Sequence, residues 1–180
     1  MQRFRKLRFF TCLVLATLII FTSCHSSKKG TANKPLSKKE LKKKYAAILE
    51  TKPRKIKNQQ LYYFIDDWYG VKYKWGGNEK KGVDCSGFTK ILYNKVYGME
   101  VKRTVATLHE TTKNFKRKRK LREGDLVYFQ EEDDPSHVGV YLKNGYFVHS
   151  AKGKGVHISN IKDNYWKKIY AGGGKVKKKS

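Results

Sequence analysis

An α+β domain is what the sequence predicts, with helices in the first half and an antiparallel sheet in the second. Three observations carry that expectation. Before residue 100, apolar residues recur at helical spacing in three separate segments. After residue 125 the pattern changes to short apolar runs divided by Gly- and Lys-containing turns. There is no internal repeat, and about 157 residues remain once a leader is set aside, enough for one domain with a substantial core.

That leader is residues 1–23. Arg3, Arg5, Lys6 and Arg8 form a basic segment, and Phe9 to Phe21 is a mostly apolar run, short for a membrane-spanning helix. It ends in Phe21-Thr22-Ser23-Cys24, which resembles a bacterial lipobox with Phe21 in place of the usual Leu. Residues 1–23 are therefore read as a lipoprotein signal peptide and Cys24 as the lipidated residue, with an uncleaved anchor helix as the alternative. On this reading the protein is exported and lipid-anchored. His25 and Ser26 after Cys24 are not acidic, which favours the outer membrane, facing the periplasm. Residues 24–36 are polar and breaker-rich and are expected to form a flexible tether.

Cysteine use follows from this. Cys12 leaves with the leader, Cys24 carries lipid, and Cys85 is left alone, so no disulfide can form within the mature domain. The formal charge is +26, or +22 once the four basic residues of the leader are lost. Such an excess suits a polyanionic partner. Lys116-Arg117-Lys118-Arg119-Lys120 would pass for a nucleic-acid patch in a cytosolic chain. Export argues against nucleic acid and leaves anionic wall polymer or lipid headgroups, with a solvated basic loop as the plainer alternative.

The elements follow in order. Ser37 and Glu40 make a Ser-x-x-Glu capping box, so a helix is expected to about Leu49, with Leu41, Tyr45, Ile48 and Leu49 on one side. Pro53 stops it. Asn58 to Tyr69 reads as a second helix with the stripe Leu61, Phe64, Ile65 and Trp68, ended by Gly70. Tyr73-Lys74-Trp75-Gly76-Gly77 is an aromatic segment closing on a double glycine, followed by a polar loop to Gly82. The third helix begins at Cys85, carries Phe88, Ile91, Leu92 and Val96 on its apolar face, and closes at Gly98. A short helix begun by Thr104 is expected within residues 104–114. A turn ending in Gly124-Asp125 leads into a strand, Leu126–Phe129, and then an acidic loop to Pro135. Four strands follow, at His137–Leu142, Tyr146–Ala151, Gly155–Ser159 and Lys168–Ala171. The domain is taken as residues 37–174 and residues 175–180 as a frayed basic tail.

The chemistry centres on Cys85. Gly82 and Asp84 are loop and N-cap types, so Cys85 sits at a helix N-terminus, where the dipole and free N–H groups favour a thiolate. His137 and His149 lie on successive strands. A two-residue turn at Asn144-Gly145 would put them on opposite faces; a three-residue turn, Lys143-Asn144-Gly145, puts them on one face with Gly139 opposite His149. Gly145 supplies the left-handed final residue of the three-residue form, which is the expected one. Gly139, lacking a side chain, would leave room for a helix end to approach. A Cys85–His137–His149 line would result, His137 being base and ion-pair partner of the thiolate and His149 fixing its tautomer. His25, His109 and His157 are given no catalytic role, and the cysteine and histidine spacing does not suit zinc. No cofactor is expected.

Four segments together are recognisable: Gly82-Val83-Asp84-Cys85-Ser86-Gly87-Phe88, Gly124-Asp125-Leu126-Val127-Tyr128-Phe129, Ser136-His137-Val138-Gly139-Val140-Tyr141 and Phe147-Val148-His149-Ser150-Ala151. They resemble the successive motifs of NlpC/P60 cysteine peptidases, over about residues 57–172. Tyr73 to Gly77 resembles the segment before the nucleophile, and Tyr165-Trp166-Lys167-Lys168 the closing strand region. With the lipobox, the chain is most similar to the Spr-like lipoprotein murein endopeptidases of that family. The resemblance implies a papain-like core, with the cysteine helix packed on an antiparallel sheet bearing both histidines. It implies peptidoglycan stem peptides as substrate; a monomer is expected. It also implies Cys85 as nucleophile, His137 as base, His149 as orienting residue, Tyr73 as oxyanion donor, and Asp84 and Ser86 as residues that shape the site. Lys102-Arg103 stands where the family has Pro-Arg, and a glutamine common a few residues later is absent. The alternatives are an amidase or acyltransferase on the same residues, a wall-binding module without catalysis, and a polyanion-binding lipoprotein.

Overall fold

The computed structural model describes residues 36–113, 118–131 and 136–176. The leader, Cys24 and the tether up to residue 35 lie outside the described residues, as do residues 114–117 of the basic run, 132–135 of the acidic loop and 177–180 of the tail. Helix α1, Lys38–Ile48, has the expected capping box: Ser37 Oγ accepts from the Glu40 N–H, and Glu40 accepts from the Ser37 N–H. Helix α2, Gln59–Trp68, is capped by the Asn58 side chain, which accepts from the Leu61 N–H. The polar loop before Gly82 is a miniature hairpin, β1 (Asn78–Glu79) with β2 (Gly82–Val83), too short to carry a periodic signal. Helix α3, Cys85–Tyr97, starts on an Asp84 cap and stops at left-handed Gly98. Helix α4, Val105–Thr111, is capped by Thr104 as expected.

The strands are β3 (Thr112–Lys113), β4 (Leu126–Phe129), β5 (His137–Tyr141), β6 (Tyr146–Ala151), β7 (Gly155–Asn160) and β8 (Tyr170–Val176). They form an antiparallel sheet in the order β3-β8-β4-β5-β6-β7. Two sequence expectations fail at the end of the chain. Lys168, read as the first residue of a strand to Ala171, instead ends a short helix α5, Asn164–Lys168, and the strand starts at Tyr170. Lys175 and Val176, read as the start of a frayed tail, close β8 against Lys113 and Thr112. Both reversals are tertiary: β8 finds partners in β3 and β4, and Trp166 docks on the sheet.

Alternation along the strands divides the core in two. Leu126, Tyr128, Val138, Val140, Val148 and Val156 face α1, α2 and α3, joining Leu41, Tyr45, Leu61, Ile65, Phe88 and Leu92. Val127, Phe129, Tyr141 and Phe147 point the other way and are covered by Ile161, Trp166, Ile169 and Tyr170. Because both faces are dry, Leu126–Phe129 reads as one continuous apolar run rather than an alternating one.

The β5–β6 connection sets the site. The Tyr146 N–H donates to the Lys143 carbonyl, while the Leu142 N–H donates to the Tyr146 carbonyl, so β5 carries one extra residue. Asn144 and Gly145 both have positive φ, 57° and 99°. The left-handed backbone at Asn144 was not expected, but Asn tolerates it better than other residues with a side chain. The resulting pairs are Val140 with Val148 and Tyr141 with Phe147, the register of the three-residue turn. A one-residue slip would have sent His149 to the helix-covered face.

Candidate active site

Strands β5 and β6 pair over only those two residues and part toward His137. Into the opening comes the start of α3. The Ser150 hydroxyl donates to the Val83 carbonyl at 2.7 Å, and the Val138 N–H points at the Cys85 sulfur. The start of α3 is thereby tied to both β5 and β6. Gly139 serves a different purpose from the one expected. A Cβ there would lie 2.6 Å from Phe147 Cδ2 and 3.3 Å from His149 Cβ, so the missing side chain admits β6 rather than the helix end.

His137 and His149 meet as the register requires. His137 Nε2 lies 2.7 Å from His149 Nδ1, with the rings perpendicular. That leaves His137 Nδ1 as the nitrogen free of this bond. His149 is wholly buried, and Trp166 of α5 packs edge-on to it with ring centroids 4.8 Å apart. Trp166 also lies 5.6 Å from His137. Cys85, His137, Tyr73, Asp84 and Ser86 line one open cleft of about 1140 Å³, with Trp75, Arg103, Lys152, Lys154 and Trp166 around it. Trp75 is 83% exposed, an aromatic plate at the rim.

Burial works against the charged forms that the helix start favours. It pushes the Cys85 thiol up to about 11, against the N–H groups of Val138, Ser86 and Cys85 itself, which favour the thiolate. Burial likewise holds His137 down to about 4, only partly opposed by the Glu131 charge. Tyr73 is pushed up by burial first, then by its proximity to Cys85 and Asp84.

Asp84 is the post on which the nucleophile loop hangs. Its Oδ1 accepts from the Gly87 N–H at 2.6 Å and from the Ser86 hydroxyl at 3.1 Å. Arg103 grips it with a guanidinium fork, Nη1 to Oδ1 at 2.9 Å and Nη2 to Oδ2 at 2.8 Å. The same fork donates to Ser86 Oγ at 2.8 Å and to the Gly77 carbonyl at 3.1 Å. Burial raises the Asp84 carboxyl, but the Arg103 hydrogen bonds, the Gly87 N–H, the Arg103 charge and Ser86 together hold it below the ordinary carboxylate range. A Cβ at Gly87 would overlap the Gly77 carbonyl oxygen and press on Arg103, so only glycine fits between cap and clamp. The sequence marks Arg103 only as half of a departure from a family pattern, and Trp166 only as part of a segment resembling the family's closing strand region. A lone basic residue in a chain this basic carries no signal of its own.

The profile of the NlpC/P60 family matches residues 70–175. Over 104 residues the chain is 43% identical to the murein DD-endopeptidase MepS/murein LD-carboxypeptidase of Escherichia coli strain K12, covering 58% of this chain and 55% of that protein. The chain thus spans about half the length of that relative. A probable endopeptidase NlpC of the same organism is 30% identical over 161 residues, 88% of this chain and 94% of the other. Among solved structures, an NlpC/P60 family protein from Bacillus cereus ATCC 10987 superposes with a TM-score of 0.60 at 27% identity, over 67% of this chain and 40% of that one. A cysteine at a helix start, sharing a cleft with the first of two hydrogen-bonded histidines on an antiparallel sheet, defines a papain-like α+β protein. This chain belongs to the NlpC/P60 family.

Proposed function

We propose that this protein is a peptidoglycan endopeptidase that cuts stem-peptide bonds by thiol chemistry on Cys85, His137 and His149. The observation that carries the reading is one open cleft lined by both Cys85 and His137, with the buried His149 linked to His137 at 2.7 Å. His137 Nδ1 takes the proton from sulfur as the S–C bond forms, and the carbonyl π pair moves onto oxygen. The Cys85 N–H and the Tyr73 hydroxyl receive that oxyanion; losing one such donor typically costs about 10²–10³-fold in rate. His137 then returns the proton to the leaving amine and activates water to release the acyl group. Burial of both groups favours a proton transfer that accompanies attack rather than preceding it. Lys152 and Lys154 at the cleft suit the carboxylates of a stem peptide. The murein activities printed for the Escherichia coli relative MepS point the same way.

Purified sacculi test it. The unaltered chain releases muropeptides whose masses identify the bond cut, and Cys85→Ala, folded by circular dichroism, releases none. Digestion by the Cys85→Ala protein overturns the assignment. The lipid anchor on Cys24, with outer-membrane residence, belongs to the same reading: fatty-acid labelling that survives Cys24→Ala would refute it. A monomer is the working form, checked by light scattering.

A further inference from the structure

We infer that Ser159 and His157 act as positioning residues that set the tautomer of His137, through a hydrogen-bonded chain ending on the Gly155 carbonyl. The inference rests on the proposed role of His137 as base. Four contacts make the chain: His137 Nε2 to His149 Nδ1 at 2.7 Å, His149 Nε2 to Ser159 Oγ at 3.0 Å, Ser159 Oγ to His157 Nε2 at 3.2 Å, and His157 Nδ1 to the Gly155 oxygen at 2.9 Å. Cross-strand register builds it, since His149 pairs with His157 and Ser159 follows two residues on, on the same face.

The last acceptor decides the direction. A carbonyl oxygen only accepts, so His157 Nδ1 carries a proton. With His157 neutral, its Nε2 is a lone pair and takes the Ser159 O–H. Ser159 Oγ must then accept from His149 Nε2–H. His149 Nδ1 is left as a lone pair and accepts from His137 Nε2–H. The consequence is that His137 Nδ1 carries no proton and is the nitrogen able to receive one from Cys85. Burial lowers His137, His149 and His157, which favours the neutral rings; Lys154 lowers the last two further, while Glu131 opposes at His137 and the Gly155 carbonyl at His157. Gly155 itself is held firmly. It has a φ of 69°, a Cβ there would strike the Val71 carbonyl, and the next residue donates to that carbonyl at 2.9 Å.

The test is nitrogen-15 NMR of the whole substrate-free chain labelled at histidine, near neutral pH. His137 is expected protonated at Nε2 and bare at Nδ1, and His157 protonated at Nδ1. In Ser159→Ala the His137 Nδ1–H form rises, and kcat on muropeptides falls roughly 3- to 10-fold, the worth of one net hydrogen bond, with KM unchanged. Ser159→Thr, which keeps the hydroxyl, restores both. A protonated His137 Nδ1 in the unaltered chain, or a tautomer ratio unmoved by Ser159→Ala, overturns the inference. The expected tautomers in a chain that leaves sacculi intact would instead sink the proposed function and leave the relay standing.

Discussion

Replacing Arg103 with Met should do more harm than its partly exposed position suggests. The Asp84 side chain is only 8% exposed and that of Arg103 is 32% exposed. Deleting one partner of a buried pair typically costs about 3–5 kcal/mol, because the other charge is left dry and unpaired. Here water can reach the side that Arg103 vacates, and the Gly87 and Ser86 donors remain, so a destabilisation of about 2 kcal/mol is expected. For a domain of this size that lowers Tm by about 4–8 °C. Turnover should fall further, by about 10²-fold, because Asp84 both caps α3 and holds Ser86 beside the nucleophile. Arg103→Lys keeps the charge but not the fork and should lie between. The pH profile distinguishes the cause. Asp84 is held below its ordinary value of 3.8, so its contribution is full above that pH and is lost as the pH falls through the lower folded-state value. The stability gap between the unaltered chain and Arg103→Met is therefore widest above about pH 5 and narrows in acid. Thermal melts over a pH series measure this, with a double-mutant cycle against Asp84→Asn. Additive effects, or a gap that widens in acid, would refute the clamp.

Alkylation of Cys85 by iodoacetamide should accelerate with pH through neutrality, since the thiol is pushed up to about 11. A rate already level between pH 5 and 8 would mean a preformed thiolate–imidazolium pair. Gly87→Ala, forced against the Gly77 carbonyl, should cost about 1–3 kcal/mol in urea denaturation; an unchanged midpoint would show that the loop yields freely. Lys152→Gln with Lys154→Gln should raise KM for muropeptides while leaving kcat alone, and flatten the salt dependence of kcat/KM. An unaltered salt dependence would move the electrostatic attraction elsewhere on this basic surface.

Much of the site could be read before any coordinates. Asp84 as cap, Cys85 at the helix start, and His137 with His149 on one face all follow from interactions within a few residues of each other: a cap, an apolar period, a hairpin with Asn144-Gly145 at its tip. What reads otherwise is long-range. Lys168 looks like the start of a strand until Trp166 has a sheet face to dock on and a helix forms to Lys168. Lys175 and Val176 look frayed until Thr112 and Lys113 lie beside them. The charged pair that the helix dipole favours is opposed by burial, which pushes Cys85 up and His137 down.

By itself, then, the amino-acid order determined the local framework: where helices begin, which way strand side chains point, and which cysteine sulfur stands at a helix start. Tertiary structure alone decided what surrounds that sulfur. Arg103 reaches Asp84 from 19 residues along the chain, and Ser159 reaches His149 from 10 residues along. The physical reason is range. Caps and periodicities act over one or two turns of backbone and leave their mark on neighbouring letters. Desolvation and hydrogen bonds between distant segments exist only once the chain has closed on itself.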